Sequence, residues 1–228
     1  MLISTVVFLH GWGGNRHSFD CVSRTLKKEE FISLDFPGFG EEAPPTDVFG
    51  VADYAKWLYL KLKELDSDKF VLVGHSFGGR VALQFSYMYP NLVEKLVLVD
   101  SAGIKPRYKI NKTIKIIWFR FCKKCAKMGI YSKERLSRHG SADYKALPES
   151  MRATFVKVVN EDLSHIAKLI RCKTLIVWGD KDTETPLYMA KKLNKLITNS
   201  KLVVFAGAGH FAYVERAEEF SQLLINFL

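Results

Sequence analysis

Short, nearly continuous apolar runs recur along the chain, separated by longer stretches whose apolar residues fall at helical spacing. The apolar runs are Val6–Leu9, Phe31–Asp35, Phe70–Val73, Lys95–Val99, Thr174–Trp178 and Leu202–Phe205. The helical patterns between them include Val51–Leu65, Phe77–Tyr89 and Pro186–Leu196. Apolar runs without polar alternation are typical of strands buried on both faces of a parallel sheet. The pattern therefore predicts an α/β fold with a doubly wound, mostly parallel sheet of about six strands.

The alternation of strands and helices is interrupted once, between the strands predicted at Lys95–Val99 and Thr174–Trp178. We interpret residues 105–170 as a helical cap inserted over the carboxyl edge of the sheet, and residues 1–104 and 171–228 as the core. The first predicted cap helix repeats apolar residues between Ile110 and Met128, with lysines on its other faces. A length of 228 residues suits one α/β domain with such an insertion.

The composition, with 48% hydrophobic and 25% charged residues, is typical of a soluble globular protein. No apolar stretch approaches the roughly 20 residues that cross a bilayer, and no signal peptide is recognisable. We therefore expect a cytoplasmic protein without a transmembrane segment. The four cysteines are irregularly placed, and the CxxC pair Cys122 and Cys125 has no second pair to complete a zinc site. We expect neither a metal nor an organic cofactor.

The formal net charge of +10 is concentrated in one segment of the chain. Between Ser101 and Lys133 there are ten lysines or arginines and no acidic residue. Such a one-sign patch could steer an acidic partner to the cap. The alternative is that these side chains only solvate a cap helix or contact anionic lipid or nucleic acid nonspecifically. We expect no specific nucleic-acid partner.

A serine follows the third predicted strand in the sequence Gly74-His75-Ser76-Phe77-Gly78 and precedes a predicted helix. A sharp strand-to-helix turn needs small neighbours on both sides of the serine, which the two glycines provide. The turn would raise the Ser76 hydroxyl above the sheet edge, and the helix N-terminus would offer amides to an oxyanion. Ser76 is therefore the predicted nucleophile. His75 borders the turn as a candidate substrate-binding residue, with packing as its alternative role.

A glycine-rich turn, His10-Gly11-Trp12-Gly13-Gly14, follows the first predicted strand. Such a turn can bring one further backbone amide beside the serine. We assign the oxyanion hole to the backbone N–H groups of Trp12 and Phe77. The ring of Trp12 is also a candidate for lining the substrate pocket.

The predicted base and acid follow the last two strands of the chain. His210 lies in a loop of small residues after the strand Leu202–Phe205, and its neutral imidazole could take the proton of the serine. Two carboxylates, Asp180 and Asp182, follow the preceding strand. Asp182 lies deeper in its loop and is the predicted acid, whereas Asp180 is expected to cap or turn the chain. Asp100, at the end of the fourth strand, is the rival position for the acid.

Five motifs occur in order along the predicted core: HGWGG, DFPGFG, GHSFGG, WGDKD and GAGHF. Together they resemble the α/β-hydrolase superfamily, and more narrowly its compact, capped esterases and lactonases. The resemblance implies Ser76 as nucleophile and favours Asp182 over Asp180 as acid. A weaker resemblance, carried by HGWGG and the basic insertion, is to the pimeloyl-acyl-carrier-protein methyl ester esterase. That family has a tryptophan where this chain has His75.

This chain departs from the superfamily in having no pair of antiparallel strands before the first predicted strand. The strand Phe31–Asp35 is then expected at an exposed sheet edge. Proteins usually cover or pair such edges. A homodimer formed through this edge is therefore one hypothesis for the assembly.

The residue types favour acyl transfer to water through an acyl-enzyme on Ser76. The superfamily's dehalogenases and epoxide hydrolases have a carboxylate at that position, so a serine argues against both activities. The main prediction is a carboxylesterase acting on a small-molecule ester with a small or medium acyl group, lactones included. One alternative, which the weaker resemblance implies, is an esterase or thioesterase for substrates bound to an acidic acyl-carrier protein that the basic cap recruits. Another is a receptor-like protein that binds a ligand in the pocket and retains the triad.

Overall fold

The structure is a computed structural model that describes residues 5–26, 31–105 and 147–228. Six strands form one sheet in the order β2-β1-β3-β4-β5-β6, and every neighbouring pair is parallel. The strands are β1 (Thr5–Leu9), β2 (Phe31–Leu34), β3 (Phe70–His75), β4 (Val93–Val99), β5 (Lys173–Gly179) and β6 (Ser200–Phe205). The predicted α/β fold is confirmed. β2 and β6 are the two edges of this sheet.

Helices cover both faces of the sheet. In the described part of the chain they are α1 (Asp20–Ser23), α2 (Val51–Leu62), α3 (Phe77–Met88), α4 (Glu149–Asn160), α5 (Ser164–Ala167), α6 (Tyr188–Leu196), α7 (Ala212–Glu215) and α8 (Ala217–Phe227). Successive strand residues point to opposite faces, so Val7 packs with α2 and α3, whereas Val6 and Phe8 pack with α1 and α8. This two-sided burial explains why the strands are almost continuously apolar.

Three helices differ slightly from the bounds that the sequence pattern predicts. α3 ends at Met88 rather than at Tyr89. α2 ends at Leu62 rather than at Leu65. α6 begins at Tyr188, because Pro186 lies in a turn in which its carbonyl accepts the amide of Met189. None of the described helices is long and apolar enough to cross a membrane.

The described end of the predicted cap, residues 147–170, packs directly on the core. The hydroxyl of Thr154 on α4 accepts the amide of Phe49 at 3.1 Å. The carboxylate of Glu161, which follows α4, accepts the amide of Val51 at 3.0 Å. These bonds anchor α4 at the N-terminus of α2. The predicted helix between Ile110 and Met128 and the CxxC pair lie outside the described residues, and the predicted domain limits remain a proposal.

Candidate active site

Ser76 lies in a strained turn between β3 and α3. Its φ is 49° and its ψ is −109°, a region that costs a residue with a side chain on the order of 1–3 kcal/mol. A Cβ on Gly74 would lie 2.6 Å from the backbone of Gly78, and a Cβ on Gly78 would overlap the carbonyl oxygen of Leu9. Only glycine therefore fits at both positions. This confirms the local structure that the sequence predicts around Ser76.

A continuous chain of hydrogen bonds joins Ser76 to Asp182 through His210. The His210 Nε2 atom lies 3.0 Å from Ser76 Oγ, and Nδ1 lies 2.8 Å from Asp182 Oδ2. An ionised carboxylate can only accept, so Nδ1 carries the proton and Nε2 presents its lone pair to the serine hydroxyl. The three side chains come from the carboxyl ends of β3, β5 and β6, which a parallel sheet brings to one edge.

Asp182 is buried, and four donors hold its carboxylate. Oδ1 accepts the amides of Glu184 and Thr185 at 2.8 and 2.9 Å. Oδ2 accepts the Thr185 hydroxyl at 2.6 Å in addition to His210 Nδ1–H. Burial by itself would raise the pKa of Asp182, but the bonds from His210 and Thr185 outweigh it and lower the pKa below its ordinary value. Asp182 therefore carries its charge next to the imidazole.

The pKa of His210 is raised above its ordinary value. Burial works in the opposite direction, but the hydrogen bond and charge of Asp182, together with the charge of Glu184, outweigh it. Glu184 Oε2 lies 3.4 Å from His210 Nε2. Glu184 is not among the site residues that the sequence motifs predict. Glu184 lies two residues after the predicted acid in the same loop, and this proximity is the sequence feature that could have identified it.

Asp100, the rival position, binds backbone amides instead of His210. Its φ is +43°, and its side chain is fully buried. Oδ1 accepts the amide of Gly179 at 2.8 Å and Oδ2 accepts the amide of Ala212 at 3.1 Å. Burial raises the pKa of Asp100 to about 7. Asp100 thus connects the segments that carry Asp182 and His210, and its carboxylate takes no part in the Ser76–His210 contact.

Asp180 also binds the loop that carries the histidine. Its Oδ1 accepts the amide of Gly207 at 2.7 Å. Gly207 has a φ of +79°, a left-handed turn that glycine adopts without strain. This bond agrees with the prediction that Asp180 stabilises a turn of the chain instead of binding the imidazole of His210.

The turn that contains Trp12 lies against the serine. A Cβ on Gly11 would lie 3.5 Å from Ser76 Cβ. The Trp12 ring packs edge-on against Phe77, with the ring centroids 5.1 Å apart, and against Phe155 at the same distance. The amide of Phe77 is the first of α3, so it has no acceptor within the helix. The two predicted oxyanion donors therefore belong to segments that meet at Ser76.

His10 and Asp35 fix the position of this turn. His10 Nε2 accepts the amide of Phe36 at 3.1 Å, and burial lowers the pKa of His10, which keeps it neutral. The carboxylate of Asp35 accepts the amide of Glu41 at 3.1 Å and that of Arg16 at 2.6 Å. These bonds join the HGWGG turn to the DFPGFG segment.

His75 is buried beneath His210. Its Nε2–H donates to the carbonyl of His210 at 2.8 Å, and the two ring centroids lie 4.9 Å apart. Burial lowers the pKa of His75 to about 3, so the ring stays neutral. This contact fixes the backbone of His210. The substrate-binding role predicted for His75 remains a prediction.

A cavity of about 280 Å³ opens above Ser76. Its walls combine the glycine-rich turn, the serine and histidine, one residue of α4 and several aromatic rings. The lining residues are Gly11, Trp12, Gly13, Gly14, Ser18, His75, Ser76, Phe155, Glu184, His210, Phe211 and Tyr213. The described residues thus bring a serine, a histidine and an aspartate together, with the serine and the histidine in the wall of one cavity.

The sequence profile of the alpha/beta hydrolase family matches residues 6–223. The chain belongs to this family. It is 27% identical to the 2-hydroxy-6-oxononadienedioate/2-hydroxy-6-oxononatrienedioate hydrolase 1 of Pseudomonas putida, over 98% of this chain and 87% of that protein. It is also 27% identical to Lipase 1 of Psychrobacter immobilis, over 94% and 73%. An esterase from Exiguobacterium antarcticum has the same fold, with a TM-score of 0.77 and 24% identity over 98% and 91% of the two chains.

Proposed function

We propose that this protein is a serine hydrolase that cleaves carboxylic esters through an acyl-enzyme on Ser76. The observation that carries the proposal is the hydrogen-bonded series Ser76–His210–Asp182 at the floor of the cavity. A serine hydroxyl is a weak nucleophile unless a base removes its proton. His210 is in hydrogen-bond contact with that hydroxyl, and the Asp182 carboxylate stabilises the imidazolium that forms.

The reaction follows from these contacts. Ser76 Oγ attacks the ester carbonyl while His210 Nε2 takes the hydroxyl proton. The amides of Trp12 and Phe77 stabilise the oxyanion, an interaction whose loss costs a factor of about 10²–10³ in rate. His210 Nε2–H then protonates the departing alcohol. A water molecule, deprotonated by the same nitrogen, hydrolyses the acyl-enzyme and releases the acid.

The size of the cavity supports a small or medium acyl group. At about 280 Å³, it lies just below the range of about 300–1,000 Å³ that drug-sized ligands occupy. Trp12 supplies an apolar wall. Its indole N–H is buried and has no acceptor in the described part of the chain. Lactones belong to the same substrate class because their ring contains a carboxylic ester.

A dienedioate, the substrate class in the printed name of the Pseudomonas putida relative, carries two carboxylates. In this chain the Glu184 carboxylate lies 3.4 Å from the proton-transferring nitrogen of His210. A substrate carboxylate beside it would be repelled. This charge supports a carboxylic ester over a dianionic substrate.

The test is hydrolysis of p-nitrophenyl esters from acetate to dodecanoate by the wild type and by Ser76→Ala. We expect activity on the shorter esters, and a loss of about 10⁴-fold or more in the variant. Ser67→Ala is the matched control, because the Ser67 hydroxyl binds the Lys69 carbonyl on a surface turn. No turnover by the folded wild type would overturn the proposal. Acylation of Ser76 without release would favour the receptor-like alternative.

The carrier-protein alternative depends on the basic segment, most of which lies outside the described residues. It predicts faster turnover of an acyl-carrier-protein ester than of the same free ester, with a salt-sensitive rate. Equal rates at low salt would contradict it.

A further inference from the structure

The Glu184 carboxylate lies beside His210 Nε2, the nitrogen that protonates the leaving group in the proposed reaction. Its Oε2 atom lies 3.4 Å from His210 Nε2, the same nitrogen that faces Ser76 Oγ at 3.0 Å. The Glu184 amide donates to Asp182 Oδ1 at 2.8 Å, which fixes the backbone below the side chain. During ester hydrolysis the departing oxygen must approach His210 Nε2. Glu184 therefore lies beside the alcohol part of the substrate.

The carboxylate of Glu184 belongs to the residues that line the cavity. Its side chain is 65% exposed. Within residues 5–26, 31–105 and 147–228, no lysine or arginine nitrogen lies within 4.0 Å of it, and His210 is its ion-pair partner. His210 is positively charged only after it has taken a proton. The negative charge at the mouth of the cavity is therefore available to a substrate.

Aromatic rings line the same cavity. Trp12 and Phe155 pack edge-on at 5.1 Å on one wall. Phe211 follows His210 and is half exposed at the mouth. Aromatic faces together with a carboxylate are the groups with which proteins bind alkylammonium ions, at about 0.5–1 kcal/mol for an exposed cation–π contact.

Building on the proposed esterase activity, we propose that Glu184 and Phe211 form a leaving-group subsite that favours esters of amino alcohols. The ammonium group of the departing alcohol lies between the Glu184 carboxylate and the ring of Phe211. A neutral alcohol of the same shape fits but gains no attraction, and an anionic one is repelled. The segment from Ser101 to Lys133 is positively charged, whereas Glu184 is negatively charged. The test must therefore separate the effect of Glu184 on a charged ester from the effect of this basic segment.

The experiment compares three butyrate esters: the choline ester, its neutral isostere with carbon in place of the ammonium nitrogen, and an isostere that carries a sulfonate there. The wild type, Glu184→Gln and Glu218→Gln are assayed together. Glu218 is an exposed residue of α8 that does not line the cavity, so its variant controls for the loss of one charge. We expect the wild type to prefer the choline ester over the neutral one by about threefold to fivefold in kcat/KM.

In Glu184→Gln this ratio falls to about one, whereas Glu218→Gln retains the wild-type ratio. In about 1 M sodium chloride, where the Debye length falls to about 3 Å, the wild-type ratio also declines. Hydrolysis of the neutral ester with no choline preference, or with a preference that Glu184→Gln retains, would overturn the subsite and leave the esterase activity intact. Wild-type preference for the sulfonate ester would overturn it as well. Failure to hydrolyse any ester would overturn both proposals.

Discussion

In the proposed mechanism His210 must be neutral to accept the serine proton, so its pKa sets the acidic limit of activity. Asp182 and Glu184 raise this pKa above the ordinary histidine value of 6.5, against the effect of burial. We therefore expect kcat/KM for a neutral ester to fall as the pH drops through a value above 6.5. In Glu184→Gln one source of the raised pKa is lost, so the acidic limb moves to lower pH. Glu218→Gln is the control, and an unmoved limb in Glu184→Gln would contradict this assignment.

Asp182 and Asp180 are two residues apart but have different partners. Asp182 accepts the His210 Nδ1–H bond, whereas Asp180 binds the amide of Gly207. We expect Asp182→Asn to lower kcat by about 10³–10⁴, because the imidazole loses its orienting charge and tautomer. Asp180→Asn should change kcat by only a few fold. Thermal unfolding of both variants checks that they fold, and equal losses of kcat would contradict the assignment.

Among the elements, the turn from β3 to α3 has no room for side chains at Gly74 and Gly78. A Cβ on Gly78 would overlap the backbone of Leu9 on β1, so Gly78→Ala must separate β1 from α3. We expect a loss of about 3 kcal/mol in the free energy of unfolding, measured by urea denaturation, with loss of esterase activity. Gly13→Ala is the control, since a Cβ there has open space and only the φ of +79° is unfavourable, at about 1–2 kcal/mol. Equal losses of stability in Gly78→Ala and Gly13→Ala would contradict the explanation that a Cβ on Gly78 clashes with Leu9.

The sequence was sufficient to predict the strands and the residues that follow them. Strands buried on both faces are apolar throughout, and a parallel sheet brings their carboxyl ends together, which places Ser76, Asp182 and His210 at one edge. The contact between Glu184 and His210 could not be predicted, because it depends on how the loop folds around Asp182. The bond from His75 to the His210 carbonyl likewise joins residues 135 positions apart, and no local pattern encodes it.

At the scale of the whole molecule, the edge of the sheet at β2 bears on whether two copies of the chain form a homodimer. β2 is an edge strand of the described sheet, and all four of its residues are partly exposed. The hypothesis of a homodimer through this edge predicts twice the chain mass at micromolar concentration in light scattering. A wild type that is monomeric under these conditions would remove the hypothesis.

The proposed hydrolysis requires Ser76 as its nucleophile, and covalent labelling of that serine tests the requirement. The protein is incubated with a fluorophosphonate, and its mass is measured before and after digestion. We predict one equivalent of label on the peptide that contains Ser76, no label in Ser76→Ala, and slow labelling in His210→Ala because the hydroxyl then lacks its base. Absence of label on the folded wild type, or label on another residue with Ser76 unmodified, would contradict the assignment of Ser76 as the nucleophile.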